Sequence, residues 1–217
     1  MRKYFWEQIL DWYADNKRVF PWRKTDNAYY LLIAEVLLQQ TNVRKVTPIY
    51  NEIISKYNTP SILAEADVEL LENIIKPLGL LYRAERLINI AHIIKKEYNG
   101  RVPCSREELM ELPGIGNYIA DAVLCYGFGK KTVPIDTNVI RLFSRYFGLK
   151  SKYSRARNDK TLLTKIKKFY NFKDYKNPNF AVLDFSSEVC SSRKPKCIKC
   201  YLNKKCRYFN YEGDSFE

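Results

Sequence analysis

Apolar positions recur along almost the whole chain at helical spacing and scarcely anywhere in strict alternation. Segments at about 43–57, 68–76, 81–98, 105–111, 117–127, 137–147, 159–170 and 178–189 place apolar residues three or four apart, which gives a helix one apolar face. An amphipathic stretch over 2–18 precedes them and is ended by Phe20-Pro21-Trp22. From Asn27 through Gln40 the pattern changes. Leu31, Leu32, Ala34, Val36, Leu37 and Leu38 leave little polar surface, as a helix buried on most sides requires. Gly79, Gly100, Gly114, Gly116, Gly127, Gly129 and Gly148 punctuate the runs, as helix stops and tight turns do. Ser105 with Glu108 three residues on reads as a capping box. The pattern predicts an all-α protein without internal repeat or heptad seam.

Composition adds a partner class. The chain has 217 residues, 46% of them hydrophobic, with 37 Lys+Arg against 24 Asp+Glu for a formal net charge of +13. That excess points towards a polyanion. It is concentrated near the end, where Ser191 to Asn210 holds seven basic residues and no acidic one. Neither a secretory signal nor an apolar run of about 18 residues is visible, so neither export nor a membrane partner is expected. The six cysteines are then expected in a reducing cytoplasm, as metal ligands or buried thiols rather than disulfides. Cys125, in an apolar run, reads as core.

Cys190, Cys197, Cys200 and Cys206 follow a C-x6-C-x2-C-x5-C spacing. Four thiolates in one loop-rich segment suit a [4Fe–4S] cluster or a zinc ion. Leu112-Pro113-Gly114-Ile115-Gly116 lies between two helical runs. Its glycines and the new helix start offer backbone N–H groups to a phosphate, or simply join two helices. Asp136 is either a helix cap or a reactive carboxylate. His92, amid Ile90, Ala91, Ile93 and Ile94, reads as structural.

Taken together, Leu112 to Gly116, Val133-Pro134-Ile135-Asp136-Thr137-Asn138-Val139-Ile140-Arg141 and the cysteine spacing resemble the helix-hairpin-helix DNA glycosylases of the endonuclease III/MutY superfamily. Phe20-Pro21-Trp22-Arg23 and Ala34 to Thr41 extend the likeness over nearly the whole chain. The resemblance implies a helical barrel at 22–134 carrying the hairpin motif at 105–127. It also implies an iron–sulfur domain from 1–21 and 135–217 with its cluster loop at 190–206, and an active site in the cleft between. It further implies a [4Fe–4S] cluster on Cys190, Cys197, Cys200 and Cys206. The expected partner is double-stranded DNA with a mismatched or damaged base, bound by a monomer in the cytoplasm at the nucleoid.

Asp136 is then the expected catalytic carboxylate, since breaking an N-glycosidic bond leaves positive charge on the sugar. Where relatives that also cut the strand carry a Schiff-base lysine, this chain has Tyr118, and a phenol forms no imine. That slot resembles the archaeal-type thymine/uracil glycosylases acting on G mismatches, so a monofunctional enzyme is expected. Glu35, in a stretch resembling the adenine glycosylases, is the third catalytic candidate, a proton donor to a purine N7 there. The same glutamate also occurs in the mismatch thymine branch. The alternative is therefore a MutY-type enzyme removing adenine opposite G or 8-oxoguanine. Two features oppose it: only eleven residues follow Cys206, which leaves no room for a lesion-reading domain, and Leu80-Leu81 stands where Tyr-Tyr is usual. A non-catalytic DNA-binding or redox-sensing iron–sulfur protein is the third possibility. Expected DNA contacts are Gln39, Gln40, Leu80 and Leu81 as wedge candidates, Gly114, Gly116 and Asn117 in the hairpin, and Lys130, Lys131, Arg141, Arg193, Lys194 and Lys196 for phosphates.

Overall fold

The computed structural model describes residues 1–212. Among them there is no strand, and the all-α expectation holds. In chain order the helices are α1 (Arg2–Asn16), α2 (Ala28–Leu38), α3 (Val43–Lys56), α4 (Pro60–Ala64), α5 (Val68–Ile75), α6 (Arg83–Glu97), α7 (Arg106–Glu111), α8 (Asn117–Phe128), α9 (Thr137–Phe147), α10 (Lys160–Lys167), α11 (Lys176–Glu188) and α12 (Arg207–Glu212). No helix of the described residues is long and apolar enough to cross a membrane.

The starts are set by short polar side chains that take up otherwise unpaired N–H groups. The Asn27 amide oxygen accepts from Tyr29 N at 2.9 Å, Asp67 from Leu70 N at 3.0 Å and Asp159 from Leu162 N at 3.0 Å. At α7 the Ser105 oxygen accepts from Glu108 N at 3.2 Å. Here the box departs from its usual form: the Glu108 carboxylate takes the Ser105 hydroxyl at 2.6 Å. α8 and α9 stop on Gly129 and Gly148, both left-handed, with φ of 65° and 69°.

Several expectations change. α2 stops at Leu38, because Gln39 leaves the helical region and Gln40 has a φ of 55°. α4 and α12, helices of five and six residues, were not anticipated. Gly127 is no helix stop. It lies inside α8, where a Cβ would sit 2.9 Å from Ala28 Cα, so it permits close approach of α2 and α8. His92 is exposed on α6 rather than packed.

The chain folds as two compact units, Val19–Pro134 and Met1–Arg18 with the chain from Ile135 onwards. In the first, α2 is the central helix, its Leu31 to Leu37 buried and packed against α8, α3 and α6. In the second, α1, α9 and α11 enclose an aromatic core. Phe5 lies 5.1 Å from Phe143 and 5.0 Å from Tyr146 between ring centroids, and Phe147 lies 4.0 Å from Phe169. Cys125 is core, 2% exposed.

Candidate active site

In the Val19–Pro134 unit the hairpin is braced from two sides. Gly114 has a φ of 75°, which L side chains rarely adopt, and a Cβ there would lie 2.6 Å from Arg86 Nε. The Gln39 amide donates to Gly114 O at 3.1 Å, and Arg86 Nη1 donates to the Gln39 oxygen at 3.0 Å. The Arg86 guanidinium in turn lies over the Tyr82 ring at 4.7 Å. Below the turn, Arg106 pairs with the buried Asp121 and donates to Asn117 Oδ1 at 2.8 Å, tying α7 to α8. Gly116 differs. Its backbone is extended and no atom lies within 4 Å of where a Cβ would be, so the fold itself does not demand glycine there.

Two further turns stand in unusual backbone. Gln40 and Leu80 each have a φ of 55°, and Leu80 follows Gly79 at 71°. Leu80 and Leu81 are 39% and 40% exposed. Arg83 holds both turns. Fully buried, it donates from Nη1 to Leu37 O at 2.6 Å and from Nη2 to Thr41 Oγ1 at 2.5 Å. Burial lowers its pKa, and both of these acceptors are neutral oxygens. Arginine nonetheless stays cationic, so the charge rests on the carbonyl end of α2, where the helix dipole favours it. Holding a buried cation in this way costs stability.

Glu35 is buried in α2, 8% exposed, rather than on a solvated face. It and the half-buried Tyr118 converge on Tyr126, a fully enclosed residue of α8. The Tyr126 hydroxyl is held well above its ordinary pKa by burial first, then by Tyr118, Cys125 and Glu35, while Arg23 acts in the opposite direction. A carboxyl, a second phenol and an arginine thus lie within electrostatic reach of the Tyr126 hydroxyl.

In the other unit Asp136 is the N-cap of α9. Its Oδ1 accepts from Val139 N at 2.7 Å and its Oδ2 from Asn138 Nδ2 at 2.7 Å. Asn138 Oδ1 accepts from Arg141 Nη1 at 2.9 Å. Arg141 also donates from Nε to Cys190 O at 2.9 Å and from Nη2 to Ser186 O at 2.8 Å. Arg141 was expected on phosphates; here its donors run into the protein and join α9 to α11. Burial lowers its pKa most, and the neighbouring Arg145 acts the same way.

Cys190, Cys197, Cys200 and Cys206 line one apolar pocket with Leu142, Tyr146, Phe185 and Leu202. Arg145 Nη1 approaches Cys190 Sγ at 3.6 Å, and Leu202 N donates to Cys200 Sγ at 3.4 Å. Burial raises the Cys197, Cys200 and Cys206 thiols, Cys200 to about 12. Among the described residues no ready metal-binding group of side chains is drawn together, so the thiols surround a common space without forming a tight coordination sphere. The donor set fits an iron–sulfur cluster in chemistry and number. It consists of sulfurs alone, lies against apolar walls, and receives N–H donors of the kind that stabilise cluster sulfur. A bound cationic centre would reverse the thiols' preference for the proton.

The remaining expected phosphate contacts are exposed: Lys130, Lys131, Arg193, Lys194 and Lys196. Lys130 is partly committed, donating to Cys104 O. Sequence reasoning gave no role to Asn138, Arg83, Arg86 or Arg145. Asn138 alone carried a signal, two residues after Asp136 in a motif already singled out.

The sequence pattern of the HhH-GPD superfamily of base excision DNA repair proteins matches residues 33–168. A thymine-DNA glycosylase of Aeropyrum pernix is 36% identical over 208 residues, 94% of this chain and 93% of its own length. A thymine/uracil-DNA glycosylase of Pyrobaculum aerophilum is 37% identical, covering 94% of this chain and 91% of its own. An adenine DNA glycosylase of Buchnera aphidicola is 31% identical, and this chain spans 58% of it. Among solved structures, a thermostable thymine-DNA glycosylase matches with a TM-score of 0.91 at 36% identity, over 97% of each chain. A trapped endonuclease III–DNA covalent intermediate matches at 0.82 and 27% identity, over 97% of this chain and 96% of that one.

Proposed function

Since the chain belongs to the HhH-GPD superfamily of base excision DNA repair proteins, we propose that it is a DNA glycosylase that hydrolyses the N-glycosidic bond of thymine or uracil mispaired with guanine in double-stranded DNA. The observation that carries the base assignment is the likeness, over nearly the full length of both chains, to thymine/uracil glycosylases.

In this reading Asp136 serves the sugar. Its carboxylate is held in one orientation by Val139 N–H and Asn138, so it faces the positive charge that grows at C1′ without reorganising. The bond from C1′ to the base nitrogen breaks with its electron pair on the base. Water adds at C1′, and the proton it gives up ends on the departed base anion, which leaves as neutral thymine or uracil. Thymine and uracil have no N7 to protonate, so the departing anion is stabilised by hydrogen bonds donated to its carbonyl oxygens, the task we give to the Tyr118 hydroxyl. Glu35 shares it only in its protonated form, since a carboxylate has no proton to donate. Tyr118 forms no imine, and the abasic strand is left intact. Gly114 and Gly116 present hairpin N–H groups to phosphate, and Leu80, Leu81 and Gln40 fill the space of the extruded base. Gln39 acts indirectly, through Gly114 and Arg86. Cys190, Cys197, Cys200 and Cys206 would hold a [4Fe–4S] cluster, which when bound closes the loop bearing Arg193, Lys194 and Lys196. The protein works as a monomer.

Burial of Glu35 also suits a general acid, which keeps adenine as the second reading. Single-turnover base release separates the two, using T·G, U·G, A·G, A·8-oxoguanine and thymine glycol·A duplexes, each quenched either neutrally or with hot alkali. Strand breaks after alkali only, on T·G and U·G, are expected. Release of adenine instead overturns the substrate assignment, and breaks after the neutral quench overturn the monofunctional one.

A further inference from the structure

A second basic site lies beside Asp136. Thr137, Arg141, Ser154, Arg155 and Arg157 line an open pocket on the unit that carries α9, with Ile140 and Ala156 completing its wall and no carboxylate in its lining. Arg141 spends its bonds on Asn138, Ser186 and Cys190, so it lends the pocket charge rather than directed donors. Arg155 and Arg157 are exposed, and among the described residues neither side chain has a hydrogen-bond or ion-pair partner. Three guanidinium groups around one opening repel each other, a cost that an anion would remove.

The arginines are carried on an ordered support. Asp159, 3% exposed, accepts from Lys152 N at 3.0 Å, from Ser151 Oγ at 3.2 Å and from Leu162 N at 3.0 Å. Between these anchors Ala156–Asn158 forms a short 3-10 turn, closed by Asn158 N donating to Arg155 O at 2.9 Å. The backbone that carries the two arginines is therefore ordered before any ligand arrives, so binding has only their side chains to order. Paired arginines with flanking hydroxyls suit tetrahedral oxyanions. Thr137 opens α9, adding the positive end of an 11-residue helix.

We propose that this pocket is a phosphodiester site that holds a backbone phosphate flanking the nucleotide whose base is removed. The inference rests on the glycosylase reading: Thr137 is the residue next to Asp136, so a sugar facing that carboxylate carries its own phosphate towards the pocket. Holding it fixes the extruded sugar against Asp136, and anchors the DNA at a point outside both the hairpin and the cysteine loop.

The test pairs protein and DNA changes. U·G duplexes with a non-cleavable target nucleotide carry a single uncharged methylphosphonate, placed in turn at each phosphate near the target on either strand. Affinity is measured for wild type and for Arg155→Ala/Arg157→Ala at several salt concentrations, after melting curves show that both fold alike. The variant is expected to bind more weakly, with its salt slope shallower by about 0.9 for the single phosphate it no longer neutralises. Wild type is expected to lose affinity at one phosphate flanking the target, and the variant to be indifferent there. Equal penalties in both proteins overturn the site, as does a penalty specific to wild type that falls only on the opposite strand. If inorganic phosphate stabilises wild type but not the variant while the methylphosphonate penalties stay equal, the pocket takes a free anion and the DNA assignment is wrong. Failure of the glycosylase reading looks different: wild type would then release no base from any cleavable duplex.

Discussion

Replacing Asp136 with Asn separates what the carboxylate does for the reaction from what it does for α9. As a helix cap Asn equals Asp, and an amide oxygen keeps the Val139 N–H bond that Oδ1 now accepts at 2.7 Å. The second oxygen is the difference. Asp136 Oδ2 accepts from Asn138 Nδ2 at 2.7 Å, and in the variant an NH2 faces that NH2. Asn138 cannot turn its amide round, because its own oxygen accepts from Arg141 Nη1 at 2.9 Å. One hydrogen bond is therefore removed, about 0.5–1.5 kcal/mol. For a chain of this size each 1 kcal/mol lowers the melting temperature by roughly 2–4 °C. Removing the charge that opposes an oxocarbenium-like sugar costs far more, on the order of 10²–10³ in rate or beyond.

A second exchange sharpens the result. In Asp136→Asn/Asn138→Asp the amide at 136 donates to a carboxylate at 138, which also takes Arg141 as an ion pair. Every bond of the network is remade with the charge moved two residues along the chain. Thermal stability should return to the wild-type value or exceed it, while base release stays as low as in the single variant. Single-turnover uracil release from U·G duplex and melting curves on the same preparations provide both numbers. If the exchange restores base release along with stability, the reaction needs the network's rigidity and not a carboxylate at 136. If the single variant keeps its rate within tenfold, the catalytic assignment fails outright.

The two hairpin glycines should behave differently. Gly114→Ala places a Cβ 2.6 Å from Arg86 Nε at a φ of 75°, so a stability loss of about 1–2 kcal/mol with weaker DNA binding is expected in denaturant melts and affinity measurements. Gly116→Ala should leave stability within about 0.5 kcal/mol yet weaken binding, since only an approaching DNA backbone has reason to exclude its methyl group; unchanged affinity refutes that role. Arg83→Met removes the donors of Leu37 O and Thr41 Oγ1 and should cost roughly 1–3 kcal/mol by urea unfolding. Its turnover should fall more on paired U·G than on single-stranded uracil DNA, where no base need be extruded. Cys200→Ser should lower the iron and sulfide found per protein chain; full retention in the purified variant would rule Cys200 out as a ligand.

Most helices were legible because each joins an apolar stripe to a short polar residue at its start, as Asp67 does for α5 and Asp159 for α10. α4, opened by Thr59 and Pro60, has only five residues, too few for a period to emerge. Residue chemistry was legible as well, but not where each side chain spends it. Arg141 read as a phosphate contact because a positive charge after Asp136 is visible in the sequence. Its actual acceptors, Ser186 O and Cys190 O, lie 45 and 49 positions away and are backbone groups that any sequence would supply. Gln39 was placed among the DNA contacts for its type; its partner is a carbonyl 75 residues on. Arg155 and Arg157 were passed over for the opposite reason. Nothing in their neighbourhood announces that both remain unpaired on a loop pinned by Asp159.

Asp136 also shows why two roles posed as rivals in the sequence need not compete. A carboxylate has about four lone-pair positions, and the cap with its Asn138 brace occupies one on each oxygen. The remaining lone pairs stay free to face a sugar, and the bonds that cap the helix are the ones that hold those lone pairs still. An aspartate fixed by the backbone N–H of Val139 has little room to turn when the glycosidic bond lengthens, so none of the stabilisation is spent on reorienting it. A catalytic carboxylate on this fold gains from being a cap. By the same reasoning glutamate at 136 should fail twice: its longer arm misplaces the anion and gives up the Val139 bond.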